Sequence, residues 1–368
     1  MTTITAAVAR EHGQALTLEE LELDDVRPNE ARVRMVATGI CHTDAIVRDG
    51  VYPTPLPAVL GHEGAGIVEA VGSEVTSVQP GDHVVLSAAY CMRCAECQAG
   101  RMAYCENLFA QDFGGRRTDG TTALTDKDGT AISSHFFGQS SFGTYANVVE
   151  SSLVKVPSSV PLEVLAPLGC GLQTGAGSIL NELRPPAGSS IVVTGAGAVG
   201  LAAIMAARVI GCTTIIAVDM HDQRLELARE LGATHVVKAS DGPVDEALLE
   251  ITGGQGVNYA LDTTAVPEVL TTVAQALSIR GTLALVGAAA PGTVAPFEIG
   301  LSLVKGWTFK TIIQGSSIPQ QFIPRLVELW TQGRFPFDKM IKTYQHDDIN
   351  AAFADSASGV TVKPVVVY

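Results

Sequence analysis

No uninterrupted apolar run in the sequence reaches the roughly 20 residues that a membrane-spanning helix requires, which excludes a helical integral membrane protein. The opening stretch, Met1-Thr-Thr-Ile-Thr-Ala-Ala-Val-Ala-Arg10, lacks a basic segment followed by an apolar one, so no secretory leader is read there and the expected location is the cytoplasm. Cations are scarce: 24 Lys and Arg stand against 38 Asp and Glu, a net charge of −14 with a pI near 5.0. Nucleic-acid binding draws its affinity from clustered Lys and Arg, so neither a nucleic-acid nor a membrane partner is expected. Internal repeats and low-complexity tracts are also missing. What 368 residues do supply is length for two domains, each with its own core.

The hydrophobic period divides the chain. Up to about residue 150, short alternating segments such as Ala31-Arg-Val33-Arg-Met35-Val and Gly81-Asp-His-Val-Val-Leu-Ser87 are punctuated by Gly and Pro, the signature of a strand-and-turn domain. From about 172 the pattern becomes apolar strands (Ser190-Ile-Val-Val-Thr194, Thr214-Ile-Ile-Ala-Val218, Asn258-Tyr-Ala-Leu261, Thr282-Leu-Ala-Leu-Val286) separated by helical stretches such as Asp222 to Leu231. Apolar runs alternating with helices predict a parallel α/β sheet. The last part, 313–368, returns to mixed structure, with a helix expected from Ile318 to Gly333 and an apolar ending, Val365-Val-Val-Tyr368. The expected division is 1–171, 172–312 and 313–368, the last completing the first domain.

Seven cysteines without a leader stay reduced, so clustered ones favour metal over disulfides. Cys91, Cys94, Cys97 and Cys105 follow C-x2-C-x2-C-x7-C, enough thiolates within fifteen residues to surround one tetrahedral ion. That spacing predicts a structural zinc lobe over about 88–108.

A glycine fingerprint, Gly195-Ala-Gly197-Ala198-Val199-Gly200, follows the Ser190 strand and opens an Ala-rich helix running to about Ile210. Gly195 allows the tight turn, Gly197 lets backbone approach a pyrophosphate at the helix N-terminus, and Gly200 lets helix and strand pack closely. The next strand ends in Asp219, nineteen residues after Gly200, where a carboxylate accepts from ribose hydroxyls and repels a 2′-phosphate. This selects NAD over NADP, while Arg224 at the same ribose leaves some room for NADP.

A catalytic zinc needs three protein ligands and an open position. Cys41 in Gly-Ile-Cys-His-Thr-Asp44, His62 in Gly61-His-Glu-Gly-Ala-Gly66 and Cys170 in Pro167-Leu-Gly-Cys-Gly-Leu-Gln-Thr174 are candidates that no short spacing links. Taken alone, each also reads as a buried core residue.

These segments, the cysteine lobe, the glycine loop and Asp219 occur in the order and spacing of the zinc-containing medium-chain alcohol dehydrogenases, and the chain resembles that family over essentially its whole length. Within it, the chain is most similar to the bacterial aryl-alcohol (benzyl alcohol) dehydrogenases, through Cys41-His-Thr-Asp44, Arg48-Asp-Gly50, the sequence around Gly287, and the segments Phe322-Ile-Pro-Arg-Leu-Val-Glu-Leu329 and Gly333-Arg-Phe-Pro-Phe-Asp338. The resemblance implies an α/β protein: a GroES-like, mainly-β catalytic domain plus a Rossmann coenzyme domain with a doubly wound parallel sheet, the active site lying in the cleft between them. It implies two Zn2+ per chain, NAD as cofactor, a small alcohol or aldehyde as substrate, and a homodimer or homotetramer joined through the coenzyme domains.

Carried over position by position, Cys41, His62 and Cys170 resemble the catalytic zinc ligands and Glu63 the carboxylate that approaches the metal during ligand exchange. Asp44 would accept from His62 and hold its tautomer. Thr43 stands in place of the hydroxyl that takes the alcohol's proton as hydride passes to the nicotinamide. His42 resembles a basic residue against the pyrophosphate, Thr174 and Val286 contacts of the nicotinamide end, and Lys363 a cation meeting a phosphate. Ile46 departs from relatives that carry a relay histidine there, so the proton must leave from Thr43 and the ribose by another route. Ser87, Phe109, Phe136, Phe137 and Val286 resemble pocket-lining positions, and two phenylalanines suit a flat aromatic or allylic primary alcohol, although a Phe pair is equally ordinary core.

Three alternatives stand beside this reading. Glutathione-linked relatives, which oxidise an S-hydroxymethyl thiol adduct of formaldehyde, carry an Arg shortly after the lobe. Here Leu108-Phe109-Ala110 takes that place, with Arg116 and Arg117 near enough to serve such a substrate. A zinc-free reductase of the same fold would lack the cysteine lobe, and a non-enzymatic nucleotide-binding protein would have no use for an open metal site.

Overall fold

A computed structural model describes all residues, 1–368. The chain separates into two compact units, one formed by 1–170, 318–328 and 338–368, the other by 171–317 and 329–337.

The first unit is built on two sheets. Five strands run in the order Ala58–Val59, Thr2–Ala9, Thr17–Leu23, Leu124–Thr125, Ala131–Ile132, all antiparallel. The second sheet runs Leu153–Lys155, His83–Leu86, Gly64–Val71, Glu30–Gly39, Lys363–Val367, Ile341–Gln345, with Tyr145–Val149 also pairing Glu30–Gly39. Glu30–Gly39 shows why it sits centrally: Ala31, Val33, Met35 and Ala37 alternate inward along one face and are fully buried. The chain's final strand adds to this sheet by pairing antiparallel with it, Val365 opposite Gly39 and Val366 opposite Thr38. That register carries Lys363 to Ile40, whose carbonyl accepts from the Lys363 ammonium at 3.0 Å.

The second unit is a six-stranded parallel sheet in the order His235–Lys238, Thr214–Asp219, Ser190–Thr194, Val257–Asp262, Leu277–Leu285, Thr308–Thr311. Ile191, Val192 and Val193 are buried to the last atom because helices cover both faces, as the unbroken apolar run implies. From the Ser190 strand the chain winds outward to one edge, then crosses back to lay Val257–Asp262 on its other side. Glycine loops at such a reversal face ligands. The helix Ala198–Ile210 starts at Gly197, and Asp222–Leu231 occupies the predicted span. Two edge strands, His235–Lys238 and Thr308–Thr311, were not expected from the hydrophobic pattern. The helix expected from Ile318 to Gly333 runs Pro319–Thr331, tolerating Pro324 in its interior. No helix is long and apolar enough to cross a membrane.

Candidate metal centre and dinucleotide site

Two donor clusters lie in the first unit. In one, Cys91, Cys94, Cys97 and Cys105 each offer a sulfur, all within 4.8 Å of one another, and every cysteine of the chain is a free thiol. Backbone N–H groups point at the sulfurs: Cys94 N donates to Cys91 Sγ at 3.4 Å and Cys97 N to Cys94 Sγ at 3.5 Å, the second capping the short helix Ala95–Gln98. Burial opposes ionisation, but N–H donation from Arg93 and Cys94 brings the Cys91 thiol down to about 6.

The other cluster gathers Cys41, His62, Glu63 and Cys170, whose ligand atoms also lie within 4.8 Å of one another. Cys41 caps the helix His42–Arg48, and its N–H donates to Asp44 Oδ2 at 2.9 Å. The same carboxylate receives His62 Nδ1 at 2.8 Å and the N–H of Gly61 at 3.2 Å, so Asp44 ties two ligand-bearing segments together. With Nδ1 taken, the remaining donor of the imidazole is Nε2, which is buried and has no hydrogen-bond partner. An orphaned buried nitrogen beside two thiols and a carboxylate fits a zinc ion: imidazole and thiolate are its preferred donors, and a carboxylate held on the opposite ring nitrogen is the usual outer support. A hydrogen bond from Cys170 pulls the Cys41 thiol well below its ordinary range despite burial, with the charges of His62 and Lys363 adding to it.

Lys363, which the resemblance sets against a phosphate, lies beside this cluster. It is buried, with its ammonium 2.5 Å from Glu63 Oε2. Burial would lower its pKa, but the Glu63 carboxylate outweighs that and keeps it cationic. Thr43 Oγ1 accepts from Cys41 Sγ at 3.8 Å, Ile46 is half-buried on the same helix, and His42 is exposed.

Of the expected pocket residues, Phe137 stacks on the His62 ring at 4.5 Å and Phe136 meets it edge-on at 5.6 Å; Phe113, not expected there, extends the cluster edge-on to Phe137 at 5.1 Å. Phe109 reaches Phe113 but is 65% exposed. Ser87 is fully buried and its hydroxyl is spent on the carbonyl of Gly169 at 2.8 Å, so it braces the segment before Cys170. Arg117 is no free cation for a thiol adduct, since its guanidinium is buried between Asp24 and Glu30. Burial raises Glu30, but hydrogen bonds from His135 and Arg117 hold it at about 2. Arg116, by contrast, is exposed.

Sequence reasoning did not find Asp112. This carboxyl is completely buried, accepts from the Ala89 N–H at 2.9 Å through one oxygen, and has no partner for the other. Burial pushes it up to about 8. An acid between Gln111 and Phe113 at the end of a five-residue helix carries no sequence signal of its own burial.

In the second unit, Gly195 turns the chain at φ 86°, and the space above Gly197 is open where a side chain would stand. Asp219 holds this loop from the neighbouring strand, its Oδ2 accepting from Ala196 N at 2.7 Å and its Oδ1 from His221 N at 2.9 Å. Arg224 stands 4.0 Å from the same carboxylate, with its Nε buried and unpartnered. Ala198 and Val199 open the helix half-exposed, and Thr174 and Val286 are likewise half-buried. Asp262 forms an unanticipated clamp behind the loop, accepting from Thr194 Oγ1 at 2.6 Å, Thr264 Oγ1 at 2.7 Å and Ala265 N at 2.8 Å. An open glycine, a carboxylate and a guanidinium with an unpartnered Nε at the end of a parallel sheet fit a dinucleotide.

Comparison with known proteins agrees with this chemistry. Residues 27–158 match the alcohol dehydrogenase GroES-like domain, and residues 198–332 match the zinc-binding dehydrogenase domain. The chain is 41% identical over 365 residues to the geraniol dehydrogenase of Castellaniella defragrans, covering 99% of this chain and 97% of that protein. Among solved structures, an alcohol dehydrogenase zinc-binding domain protein from Burkholderia ambifaria shares 53% identity with a TM-score of 0.97, over 100% of this chain and 99% of the other. The benzyl alcohol dehydrogenase of Acinetobacter calcoaceticus shares 48% with a TM-score of 0.96, at the same coverage. With likeness running end to end, over both the mainly-β unit and the parallel-sheet unit, the chain belongs to the zinc-binding medium-chain alcohol dehydrogenases, oxidoreductases of small alcohols and aldehydes.

Proposed function

We propose that this enzyme interconverts aryl or allylic primary alcohols and their aldehydes, with NAD as the hydride partner and two zinc ions per chain. The cluster of Cys41, His62, Glu63 and Cys170 beside an aromatic wall is the observation that carries the proposal. Cys41, His62 and Cys170 would hold the catalytic ion, and Cys91, Cys94, Cys97 and Cys105 the structural one. The first unit is then the catalytic domain and the second the coenzyme domain.

A zinc ion in the first of these sites supplies Lewis acidity toward an alcohol oxygen, and a nicotinamide supplies the hydride acceptor. The chain's own residues do the rest. Asp44 fixes the His62 tautomer through its 2.8 Å bond to Nδ1, leaving Nε2 as the donor. Thr43 offers the hydroxyl that receives the proton, and Ile46, having no basic atom, leaves the ribose and water as its exit. Phe136, Phe137 and Phe113 pack into one aromatic cluster beside His62, and a flat substrate ring set against it would gain about 0.5–1.5 kcal/mol per aromatic pair. Benzyl alcohol and geraniol, the substrates named for two relatives, both offer such a flat, unsaturated carbon next to the carbinol.

Asp219 at the loop favours the two free hydroxyls of NAD, with Arg224 allowing slower use of NADP. Ile279, Val294, Ile299, Leu303 and Val304 are each exposed on the coenzyme unit, which supports a homodimer or homotetramer assembled there, in the cytoplasm.

The test combines elemental analysis of the purified protein with NADH formation from benzyl alcohol, geraniol and ethanol. The expected result is about two zincs per chain and a higher kcat/KM for benzyl alcohol and geraniol than for ethanol. Metal-free protein, or an equal preference for ethanol, overturns the reading.

A further inference from the structure

The segment 134–142 is buried from end to end and touches no ligand-bearing cluster through a metal donor, yet it grips the turn that carries His62 at residue after residue. Ser140 Oγ donates to Val59 O at 2.6 Å, Phe142 N to Leu60 O at 3.0 Å and Ser141 N to Gly61 O at 2.9 Å. At its centre is Gln139, fully buried, whose amide is spent entirely on backbone. Its Nε2 donates to the carbonyls of His62 and Ser87, both at 3.0 Å, and its Oε1 accepts from Gly64 N at 3.1 Å. Two carbonyls on one side and an N–H on the other leave one orientation for the amide.

We infer that Gln139 is the positioning residue of the catalytic metal site, bracketing Glu63 between the His62 carbonyl and the Gly64 N–H and tying that turn to the Cys170 segment. The tie runs through Ser87: Gln139 holds the Ser87 carbonyl, and the Ser87 hydroxyl holds Gly169 O at 2.8 Å, one residue before Cys170. His62 and Cys170, distant in sequence, thereby share one brace. Gln is suited to this because no other side chain of that length presents two donors and an acceptor in a plane. A Cβ on Gly64 would stand 2.7 Å from Ser141 Cβ, so the bracketed turn and the gripping segment pack in direct contact.

A second observation is independent of these bonds. Phe137 at φ 53° and Ser140 at φ 50° are side-chain-bearing residues in the left-handed region. The two directly flank Gly138 and Gln139, and such strain persists only where surrounding contacts over-determine it, concentrating at sites whose geometry matters. Here it delivers the Phe137 ring onto the face of His62 while Gln139 holds the carbonyl of the same residue, fixing the ligand at both ends.

The inference rests on the reading that Cys41, His62 and Cys170 hold a zinc, and the test separates the two. Wild-type enzyme, Gln139→Met and Gln139→Glu, all full-length and zinc-loaded, are mixed with a chromogenic chelator and zinc release is followed in time, with the melting temperature of the metal-stripped forms recorded alongside. Wild type should release its zinc in two phases, one ion each. Both variants should accelerate one phase about 10- to 100-fold, Gln139→Glu more because its carboxylate faces two carbonyls, while the other phase stays within error even though the stripped variants melt lower for the three lost hydrogen bonds. Variant release matching wild type, or both phases accelerating together, overturns the positioning role. A wild-type protein with a single one-ion phase overturns the metal reading itself. Should Gln139→Glu fail to fold, Gln139→Met decides, and Ser87→Ala, which cuts only the link to Gly169, should accelerate the same phase by a smaller factor.

Discussion

Replacing Lys363 by Met keeps most of the side chain's length and leaves the Glu63 carboxylate buried without its counter-charge. The magnitude follows from the geometry. At 2.5 Å, two unit charges in an effective dielectric of about 20 attract by about 7 kcal/mol, most of it offset by the cost of taking both from water. Removing one partner forfeits the attraction and leaves the desolvation of the other, a loss of about 3–5 kcal/mol. Glu63 can limit that loss by binding a proton, which from an unfolded pKa of about 4.3 costs about 4 kcal/mol at pH 7 and about 1 kcal/mol at pH 5. Burial already raises Glu63 in the wild type against the opposing pull of Lys363, and losing Lys363 raises it further, so the variant's deficit should grow as pH rises through 5 to 7 and shrink on acidification. The double variant Lys363→Met/Glu63→Gln removes the charge altogether and should recover most of the loss with no such pH dependence. Urea unfolding of wild type, Lys363→Met and the double variant in excess chelator, at pH 5, 6 and 7, measures all of this. A single-variant cost below about 1 kcal/mol at pH 7, or a deficit unchanged at pH 5, would refute the buried-pair account.

Cys97→Ser should lower thermal stability and halve the zinc content, whereas Cys41→Ser should also lose one zinc yet melt near wild type without activity, as elemental analysis and calorimetry will read. Asp219→Ser, which frees Ala196 N and the ribose site, should move the ratio of NAD to NADP efficiency toward NADP by about tenfold or more in initial-rate assays. Asp112 holds its proton in the folded state up to about pH 8, so wild-type stability falls as pH rises from about 4 to 8; Asp112→Asn should remove that decline, a difference bounded by about 6 kcal/mol and visible as a melting-temperature gap that widens toward pH 8.

What could be read from the sequence was what is local. The glycine loop and the cysteine lobe declare themselves because their parts are neighbours in the chain, and the structure sets Gly195 at positive φ and four sulfurs around one point. Cys41, His62 and Cys170 come together only through sheet pairing and loop packing, so no spacing rule could join them, and only resemblance suggested the set. Gln139, Asp112 and the Lys363–Glu63 contact were invisible for the same reason: their partners are backbone or side chains tens to hundreds of residues away. The edge strands His235–Lys238 and Thr308–Thr311 escaped because each is four residues long and lies half in solvent, with no clear period to read.

The placement of Lys363–Val367 beside Glu30–Gly39 also bears on how the protein is made. During synthesis the coenzyme unit emerges almost whole from the middle of the chain and can complete its parallel sheet early. The metal-bearing unit cannot: its central strand waits for a neighbour that leaves the ribosome more than 300 residues later, as the 323-residue separation of Ile40 and Lys363 records. Until then Glu63 has no cation beside it and the turn after His62 has reason to stay open to water. Closure of the proposed site at Cys41, His62 and Cys170 therefore waits on a strand synthesised more than 300 residues after its first ligand, whereas the cysteine lobe has all four of its sulfurs within fifteen residues.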